Sequence, residues 1–184
     1  MTRPLALVTG GMRRLGAVIA VQLADAGYNV ALTSHGDGTP DAELTAALER
    51  NAVNWKHFPA DLSADGAADA LMPAVVAHFG HTPDLLVNNA ALFGQDGWDD
   101  MSGDTLDAHF RLNLFAPVLL SRALVQSAGE KAQPAIVNIV DQRITNLIRL
   151  VEEVAFSRMD IRLAHKLIEL SHGGVTVTAT QQQL

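Results

Sequence analysis

The sequence predicts an α/β protein built on a doubly wound parallel sheet of the Rossmann type. Three observations lead to this fold class. Short apolar runs alternate with segments of helical periodicity over residues 1–143. The first apolar run ends at a glycine-rich turn that opens a helix. No apolar run approaches the roughly 20 residues that a membrane-spanning helix needs.

The first three elements set the pattern. Residues 5–10 are rich in Leu and Val and stop at glycine, as expected of a strand buried on both faces. Residues 15–27 have helical spacing, and Gly27 is a natural end for that helix. Residues 29–34 form a second apolar run. Together they predict a strand, a helix and a parallel strand joined by a right-handed crossover.

The next three elements repeat the alternation. Turn-forming residues precede a predicted helix over 41–51. Residues 53–62 contain the third strand, and residues 66–80 form a helix that ends at Gly80.

The last elements of the pattern are two strands and a long helical region. Residues 84–90 predict a fourth strand and residues 101–129 a long helix. Residues 134–141 predict a fifth strand, buried like the first and ending in a polar turn. The carboxyl end of such a strand is a common place for an active site.

The pattern changes after Arg143. Residues 144–170 form one amphipathic helical stretch, and residues 175–180 alternate like an exposed strand of a small hairpin. We therefore expect a sheet truncated after the fifth strand and followed by a helical tail. The predicted domains are 1–143, an incomplete Rossmann-type domain, and 144–184, a helical tail.

Composition narrows the function classes. The chain has no cysteine, which excludes a disulfide scaffold and thiolate metal or redox sites, and no metal site is predicted. A formal charge of −7 disfavours nucleic-acid binding over most of the surface. The apolar stretch at the N-terminus is too short for a signal peptide, so we expect a cytoplasmic protein.

The strongest motif is the turn VTGGMRRLG at 8–16. Gly10 and Gly11 permit a tight turn, and Gly16 permits close approach of helix and strand. The free amides at the start of the helix then face an anion. The alternative is an ordinary turn between strand and helix that holds no ligand.

This turn resembles that of the short-chain dehydrogenases/reductases, whose pattern is Thr-Gly-x-x-x-Gly-x-Gly. Thr9, Gly10 and Gly16 match, and Arg14 replaces the middle glycine, which resembles the pteridine and dihydromonapterin reductases. The resemblance covers residues 1–143. It implies that the turn, including Gly11, Arg13 and Leu15, binds a nicotinamide cofactor.

Other motifs match the family in order. By resemblance, Asp61 and Leu62 contact the adenine ring, and the Asn88-Asn89-Ala90 segment lies beside the cofactor, with Asn89 and Ala90 as binding residues. Asn113 matches the helix asparagine of the catalytic tetrad. The alternatives are a residue near a helix N-cap for Asp61, turn formation for Asn88 and Asn89, and a buried polar kink for Asn113.

The predicted cofactor is NADP(H). An NAD site needs an acid at the end of the second strand, where this chain has Ser34 and His35. Arg13 or Arg14 could pair with a 2′-phosphate. Asp37 would overturn this prediction if its carboxylate reached the ribose. Ser34 and His35 could also be ordinary turn residues.

The resemblance implies a catalytic Ser, Tyr and Lys, which this chain replaces. Asp141 stands at the Ser position, as in pteridine reductases, or else caps a strand end. Val154 and Arg158 stand near the Tyr and Lys positions, and the chain contains no Tyr-x-x-x-Lys. We expect a carbonyl or pteridine-like substrate if the chain is active, and impaired catalysis. Oligomeric state stays open.

Residues 150–184 resemble part of a Crp/Fnr-type transcription regulator, or else form a generic helix and hairpin. No recognition helix follows, so we expect no sequence-specific DNA binding. The simplest hypothesis is a chimera joined near Arg143. The function is then a pteridine-type reductase, a non-catalytic NADP(H)-binding module, or a fragment carrying part of a regulator.

Overall fold

The computed structural model describes residues 2–36, 38–92, 102–129 and 133–139. The predictions for Asp37, Asp141, Val154, Arg158 and the whole tail therefore lie outside the described residues, and the division into two domains stays a prediction. The described strands are β1 Leu5–Val8, β2 Asn29–Ser34, β3 Trp55–Pro59, β4 Leu85–Asn88 and β5 Ala135–Asn138. The helices are α1 Arg14–Asp25, α2 Ala42–Arg50, α3 Ala67–Phe79, α4 Gly103–Phe110 and α5 Ala116–Ala128.

The strands form one parallel sheet in the order β3-β2-β1-β4-β5. Leu5 lies opposite Asn29 of β2, and Ala6 lies opposite Leu85 of β4. The chain therefore moves outward from β1 first to one side and then to the other. This change of direction creates a crevice at the carboxyl ends of β1 and β4, where ligands bind in open α/β sheets. The predicted doubly wound, Rossmann-type fold is confirmed.

Strand β1 is the centre of two apolar cores. Its four residues have no exposed surface. Ala6 and Val8 join the core beneath α1 and α2. Leu5 and Leu7 join the core beneath α3 and α5. The continuous apolar run thus reflects a strand covered on both faces, as the sequence predicts.

Strand β5 differs from the prediction. It spans Ala135–Asn138, within the predicted 134–141, but all of its residues are exposed. Ile136 is 37% exposed and Val137 43%. Backbone hydrogen bonds hold β5 against β4, including one from the Ile139 amide to the Asn88 carbonyl at 2.9 Å. The expectation of a buried strand was wrong because β5 is an edge of the described sheet.

The helical region predicted over 101–129 is interrupted. A π-helical turn, Arg111–Phe115, joins α4 to α5, and the Ala116 amide donates to the Arg111 carbonyl. Pro117 follows at the start of α5 and has no amide hydrogen for the carbonyl of Asn113, four residues earlier. That missing α-helical bond is a physical reason for the wider turn at this point. None of the described helices is long and apolar enough to cross a bilayer.

Candidate nucleotide-binding site

The glycine turn lies between the carboxyl end of β1 and the start of α1. Gly10 has φ +63°, in the left-handed region that favours glycine. A Cβ atom on Gly16 would lie 2.0 Å from the Gly10 carbonyl oxygen. A Cβ atom on Gly11 would lie 2.8 Å from the Leu32 side chain. The three predicted glycines therefore meet in one tight turn whose backbone leaves no room for side chains.

Thr33 of β2 holds the turn in place. Its hydroxyl oxygen accepts a hydrogen bond from the Gly10 amide at 3.2 Å, and its carbonyl accepts one from the Gly11 amide at 3.0 Å. Sequence reasoning missed Thr33. A buried polar residue within an apolar strand was the only signal that could have identified it.

Thr9 and Asn89 join the turn to the end of β4. The Thr9 hydroxyl oxygen accepts from the amides of Asn89 and Ala90, both at 2.9 Å. The Asn89 side-chain amide donates to the carbonyls of Thr9 at 3.0 Å and Gly10 at 3.2 Å. Thr9 is only 2% exposed. The structure thus brings these three predicted residues together, and the polar groups of Thr9 and Asn89 stabilise the turn.

Asn88, the first residue of the Asn-Asn-Ala segment, points into the sheet interior. It is 4% exposed, and its Nδ2 donates to Oδ1 of Asn138 in β5 at 2.8 Å. A longer contact of 3.5 Å joins Nδ2 to the Ser121 hydroxyl of α5. The Asn88 Oδ1 atom has no hydrogen-bond partner among the described residues. Asn88 therefore links β4 to β5 directly beside the turn.

The predicted cationic residues lie at the start of α1. The side chains of Arg13, Arg14 and Leu15 are exposed, and neither guanidinium forms an ion pair within the described part of the chain. Arg14 has φ +53°, so it adopts the left-handed conformation of the glycine that it replaces. Two positive charges thus stand beside the start of a helix, an arrangement suited to phosphate.

A carboxylate that the sequence did not identify also reaches this corner. Oδ2 of Asp41 accepts a hydrogen bond from the Arg14 backbone amide at 3.1 Å. The Arg13 Nε donates to the Thr39 carbonyl at 3.3 Å. The loop between β2 and α2 therefore folds back over the glycine turn. The signal in the sequence was an Asp at the position that precedes α2.

Ser34 and His35 lie at the end of β2, as predicted. The Ser34 hydroxyl donates to the Gly36 carbonyl at 2.9 Å and lies 2.8 Å from Nε2 of His57 in β3. Nε2 of His35 lies 3.6 Å from Oδ2 of Asp61. Among the described residues, the end of β2 therefore carries hydroxyl and imidazole groups and no carboxylate of its own. His57 was also missed, because only the pairing of β2 with β3 brings it to Ser34.

Asp61 and Leu62 follow β3. The Asp61 Oδ1 atom accepts from the hydroxyl of Ser63 at 2.6 Å and from its amide at 3.0 Å. These hydrogen bonds lower the pKa of Asp61, and the nearby His35 adds to the effect. Leu62 is buried in the core beneath α3. Asp61 is thus an exposed carboxylate held in one orientation, close to the end of β2.

Asn113 lies in the π-helical turn. Its Nδ2 donates to the Leu92 carbonyl at 3.0 Å, and its Oδ1 accepts from the Leu92 amide at 2.8 Å. The side chain therefore fixes the segment that follows Asn89 and Ala90. Asn113 is only half-buried in this turn, whereas the alternative interpretation expected a buried polar kink. π-helical turns are frequent at functional sites.

The only tyrosine of the 184-residue chain is Tyr28. It precedes β2 and packs against the core beneath α1 and α2. In a parallel sheet this places it at the amino ends of the strands, whereas the glycine turn lies at their carboxyl ends. The structure therefore separates the one phenol from the candidate site.

A profile of the short chain dehydrogenase family matches residues 4–143. The chain belongs to the short-chain dehydrogenase family. The match includes the glycine turn, the Asn-Asn-Ala segment, Asn113 and Asp141. Among its relatives is the short chain dehydrogenase/reductase dpchG of Colletotrichum higginsianum, 34% identical over 142 residues. That alignment covers 76% of this chain and 52% of the relative.

Solved structures of the same family have the same fold. FolM alternative dihydrofolate reductase 1 from Brucella suis, in complex with NADP, is 33% identical, with a TM-score of 0.66. The match covers 78% of this chain and 59% of that one. A 3-oxoacyl-[acyl-carrier protein] reductase from Brucella melitensis, in complex with NAD, is 29% identical, with a TM-score of 0.63 over 75% of this chain and 55% of that one. This short-chain dehydrogenase therefore has structural relatives that bind NAD and others that bind NADP.

The chain spans about half the length of the curated relatives that it matches. The family profile covers residues 4–143, which contain the glycine turn and the five described strands. The family is thereby established for this region.

Proposed function

We propose that residues 4–143 form the NADP(H)-binding part of a short-chain reductase of the pteridine-reductase type. The observation that carries this proposal is the pair of exposed guanidinium groups of Arg13 and Arg14 at the start of α1, neither of which forms an ion pair with the described residues. A planar guanidinium can bind a phosphate through two parallel hydrogen bonds. Ser34 and His35 stand where an NAD-specific site carries a carboxylate.

The chain's own residues fit an anionic dinucleotide. Gly10, Gly11 and Gly16 have no side chain that would keep a pyrophosphate away from the backbone of the turn. Arg13 or Arg14 would bind the 2′-phosphate, and Asp61 with Leu62 would contact the adenine. Leu15, 54% exposed, is free to pack against the cofactor. When bound, the nicotinamide supplies the hydride chemistry.

A pteridine-like substrate is supported by two facts. Arg14 replaces a glycine of the family pattern, as in the pteridine reductases that the sequence resembles. FolM alternative dihydrofolate reductase 1 is also among the structural relatives of this chain. We therefore propose a small carbonyl or pteridine-like compound as the substrate class of the whole reductase.

We further propose that the chain binds NADP(H) but reduces substrate slowly or not at all. A phenol, with a pKa near 10, needs a nearby cation to act as an acid at neutral pH. The only phenol, Tyr28, lies at the opposite ends of the strands, and the chain has no Tyr-x-x-x-Lys. Asn113 and Asp141 would then orient a ligand without completing a proton-donating group. A non-catalytic NADP(H)-binding module is therefore the second candidate.

A fluorescence titration with NADPH and with NADH tests the cofactor. We expect NADPH to bind at least about tenfold more tightly, because two guanidinium groups attract the 2′-phosphate. Tighter binding of NADH would reject the proposal. Gly16→Ala provides a control without a functional turn, and it should bind neither nucleotide.

An NADPH oxidation assay with dihydrobiopterin or a quinone tests activity separately. We expect a rate no higher than that of the Gly16→Ala control. Turnover well above that control would show that another group supplies the proton. It would reject the non-catalytic role while leaving the cofactor proposal in place.

A further inference from the structure

Asp41 occupies the N-cap position of α2 but does not cap that helix. Its side chain makes no hydrogen bond to an amide of α2, although Asp is among the residues most favoured at N-caps. Its Oδ2 atom instead accepts from the Arg14 backbone amide, which belongs to the first residue of α1. The carboxylate therefore leaves its own helix uncapped and places its charge at the glycine turn.

Backbone contacts hold Asp41 in this position. Its amide donates to the Met12 carbonyl at 3.1 Å, within the glycine turn. Two residues earlier, the Thr39 carbonyl accepts from Arg13 Nε. The carboxylate is thus positioned by hydrogen bonds on its own backbone and on the adjoining loop, so its approach to Arg14 is built into the fold.

The location of this charge matters for nucleotide choice. In Rossmann-type sites the ribose binds between the glycine turn and the end of β2, and an acid from that end accepts a hydrogen bond from the 2′-hydroxyl of NAD. Ser34 and His35 provide no such acid. The loop after β2 returns to the same corner and brings the Asp41 carboxylate against Arg14.

We propose that Asp41 sets the preference of this chain between NADH and NADPH. The inference rests on the proposed nucleotide-binding function. Its carboxylate favours a 2′-hydroxyl, which can donate a hydrogen bond to it, and repels a 2′-phosphate. Arg13 and Arg14 act in the opposite sense at the same corner. The selectivity of the site is therefore a balance between two guanidinium groups and one carboxylate.

Asp41→Asn tests this balance, because the Asn side-chain oxygen can still accept from the Arg14 amide while the charge is removed. We expect the ratio of the NADH dissociation constant to the NADPH dissociation constant to rise by roughly fivefold, the effect of one nearby, partly screened charge. The measurement is the fluorescence titration of both nucleotides at low salt. The increase should shrink at 0.5 M NaCl, where salt screens exposed charges that are more than about 4 Å apart.

Glu43→Gln is the matched control. Glu43 is exposed in the first turn of α2 and its substitution changes the net charge equally, but it forms no hydrogen bond or ion pair with the described residues of the glycine turn. It should leave the ratio within about twofold of wild type, since exposed charges act weakly at a distance. An Asp41→Asn ratio no larger than that of Glu43→Gln, or shifted toward NADH, would overturn the role of Asp41.

Asp41→Ser separates the effect of the lost charge from the effect of a folding defect. Ser keeps an N-cap residue before α2 and also removes the charge. If Asp41→Asn melts at a lower temperature than wild type, Asp41→Ser must still raise the ratio, or the inference fails. The proposed function is judged on wild type alone, by which nucleotide binds more tightly. The role of Asp41 is judged on the change between wild type and variant.

Discussion

Strands β1 and β5 are both short, apolar and parallel to β4, yet their surroundings are opposite. Every residue of β1 is fully buried between two cores, whereas every residue of β5 is exposed. The turn that follows β1 is held by hydrogen bonds in which the hydroxyl oxygens of Thr33 and Thr9 accept and the Asn89 side-chain amide donates. At the corresponding end of β5 the described side-chain contact is the one between Asn138 and Asn88.

Under the proposed function, this difference would separate the nucleotide-binding side of the sheet from its catalytic side. The glycine turn is fixed by burial and by several independent hydrogen bonds, so its geometry does not depend on any single contact. The strand that leads to Asp141 is held mainly by its backbone ladder with β4. The proposed function thus requires an ordered glycine turn but makes no comparable demand on β5.

Gly16→Ala is expected to have the largest effect on the β1 side. The new methyl group would lie 2.0 Å from a carbonyl oxygen of the same rigid turn. We expect a loss of more than about 3 kcal/mol of unfolding free energy, measured by urea denaturation, together with loss of NADPH binding. Gly103→Ala is the matched control, because nothing lies near that position. Equal stabilities of the two variants would contradict the close approach.

The same substitution on the two strands tests the comparison directly. Val8 is fully buried and Val137 is 43% exposed. We expect Val8→Ala to lower the unfolding free energy by about 2–3 kcal/mol, since it leaves a cavity between two cores. Val137→Ala should cost about 0.5 kcal/mol or less. Similar costs in chemical denaturation would mean that β5 is packed as firmly as β1.

Arg14→Gly is expected to change stability and binding in opposite directions. Arginine at φ +53° is strained by roughly 1–2 kcal/mol, and the greater entropy of an unfolded glycine offsets part of that. A gain of about 0.5 kcal/mol should accompany roughly fivefold weaker NADPH binding, because one guanidinium is lost. Arg14→Lys keeps the strain and the charge, so it should leave stability unchanged. A destabilised Arg14→Gly would show that the side chain, not the backbone conformation, governs this position.

The smallest effect concerns Asp61. Its pKa is held below the ordinary value of 3.8, chiefly by the two hydrogen bonds from Ser63. The folded state therefore prefers the ionised form, and the associated stability is present above about pH 4 and is lost as the pH falls further. Asp61→Asn and Ser63→Ala should each reduce the wild-type dependence of melting temperature on pH between 5 and 3. If the melting temperature of both variants depended on pH as in wild type, that dependence would belong to other carboxylates.

Local signals explain what the sequence predicted well. The Leu- and Val-rich run of β1, the turn glycines and the alternation of elements all depend on neighbours in the chain. The contact of Asp41 with Arg14 spans 27 residues, and the contact of Ser34 with His57 spans 23. These contacts follow from tertiary packing, which no local pattern encodes. The exposure of β5 was missed for the same reason, because an apolar run does not reveal whether anything covers it.

The π-helical turn at Arg111–Phe115 also determines which face of α5 points toward the core. A turn closed by a bond to the fifth residue contains one residue more than an α-helical turn, and each residue advances an α-helix by about 100°. Residues after the turn are therefore rotated relative to an uninterrupted helix. This rotation directs Leu120 and Leu124 into the core, while α4 buries none of its residues. Removing a single residue here would leave every remaining side chain chemically unchanged. It would nevertheless rotate the buried face of one of the two helices away from its present contacts.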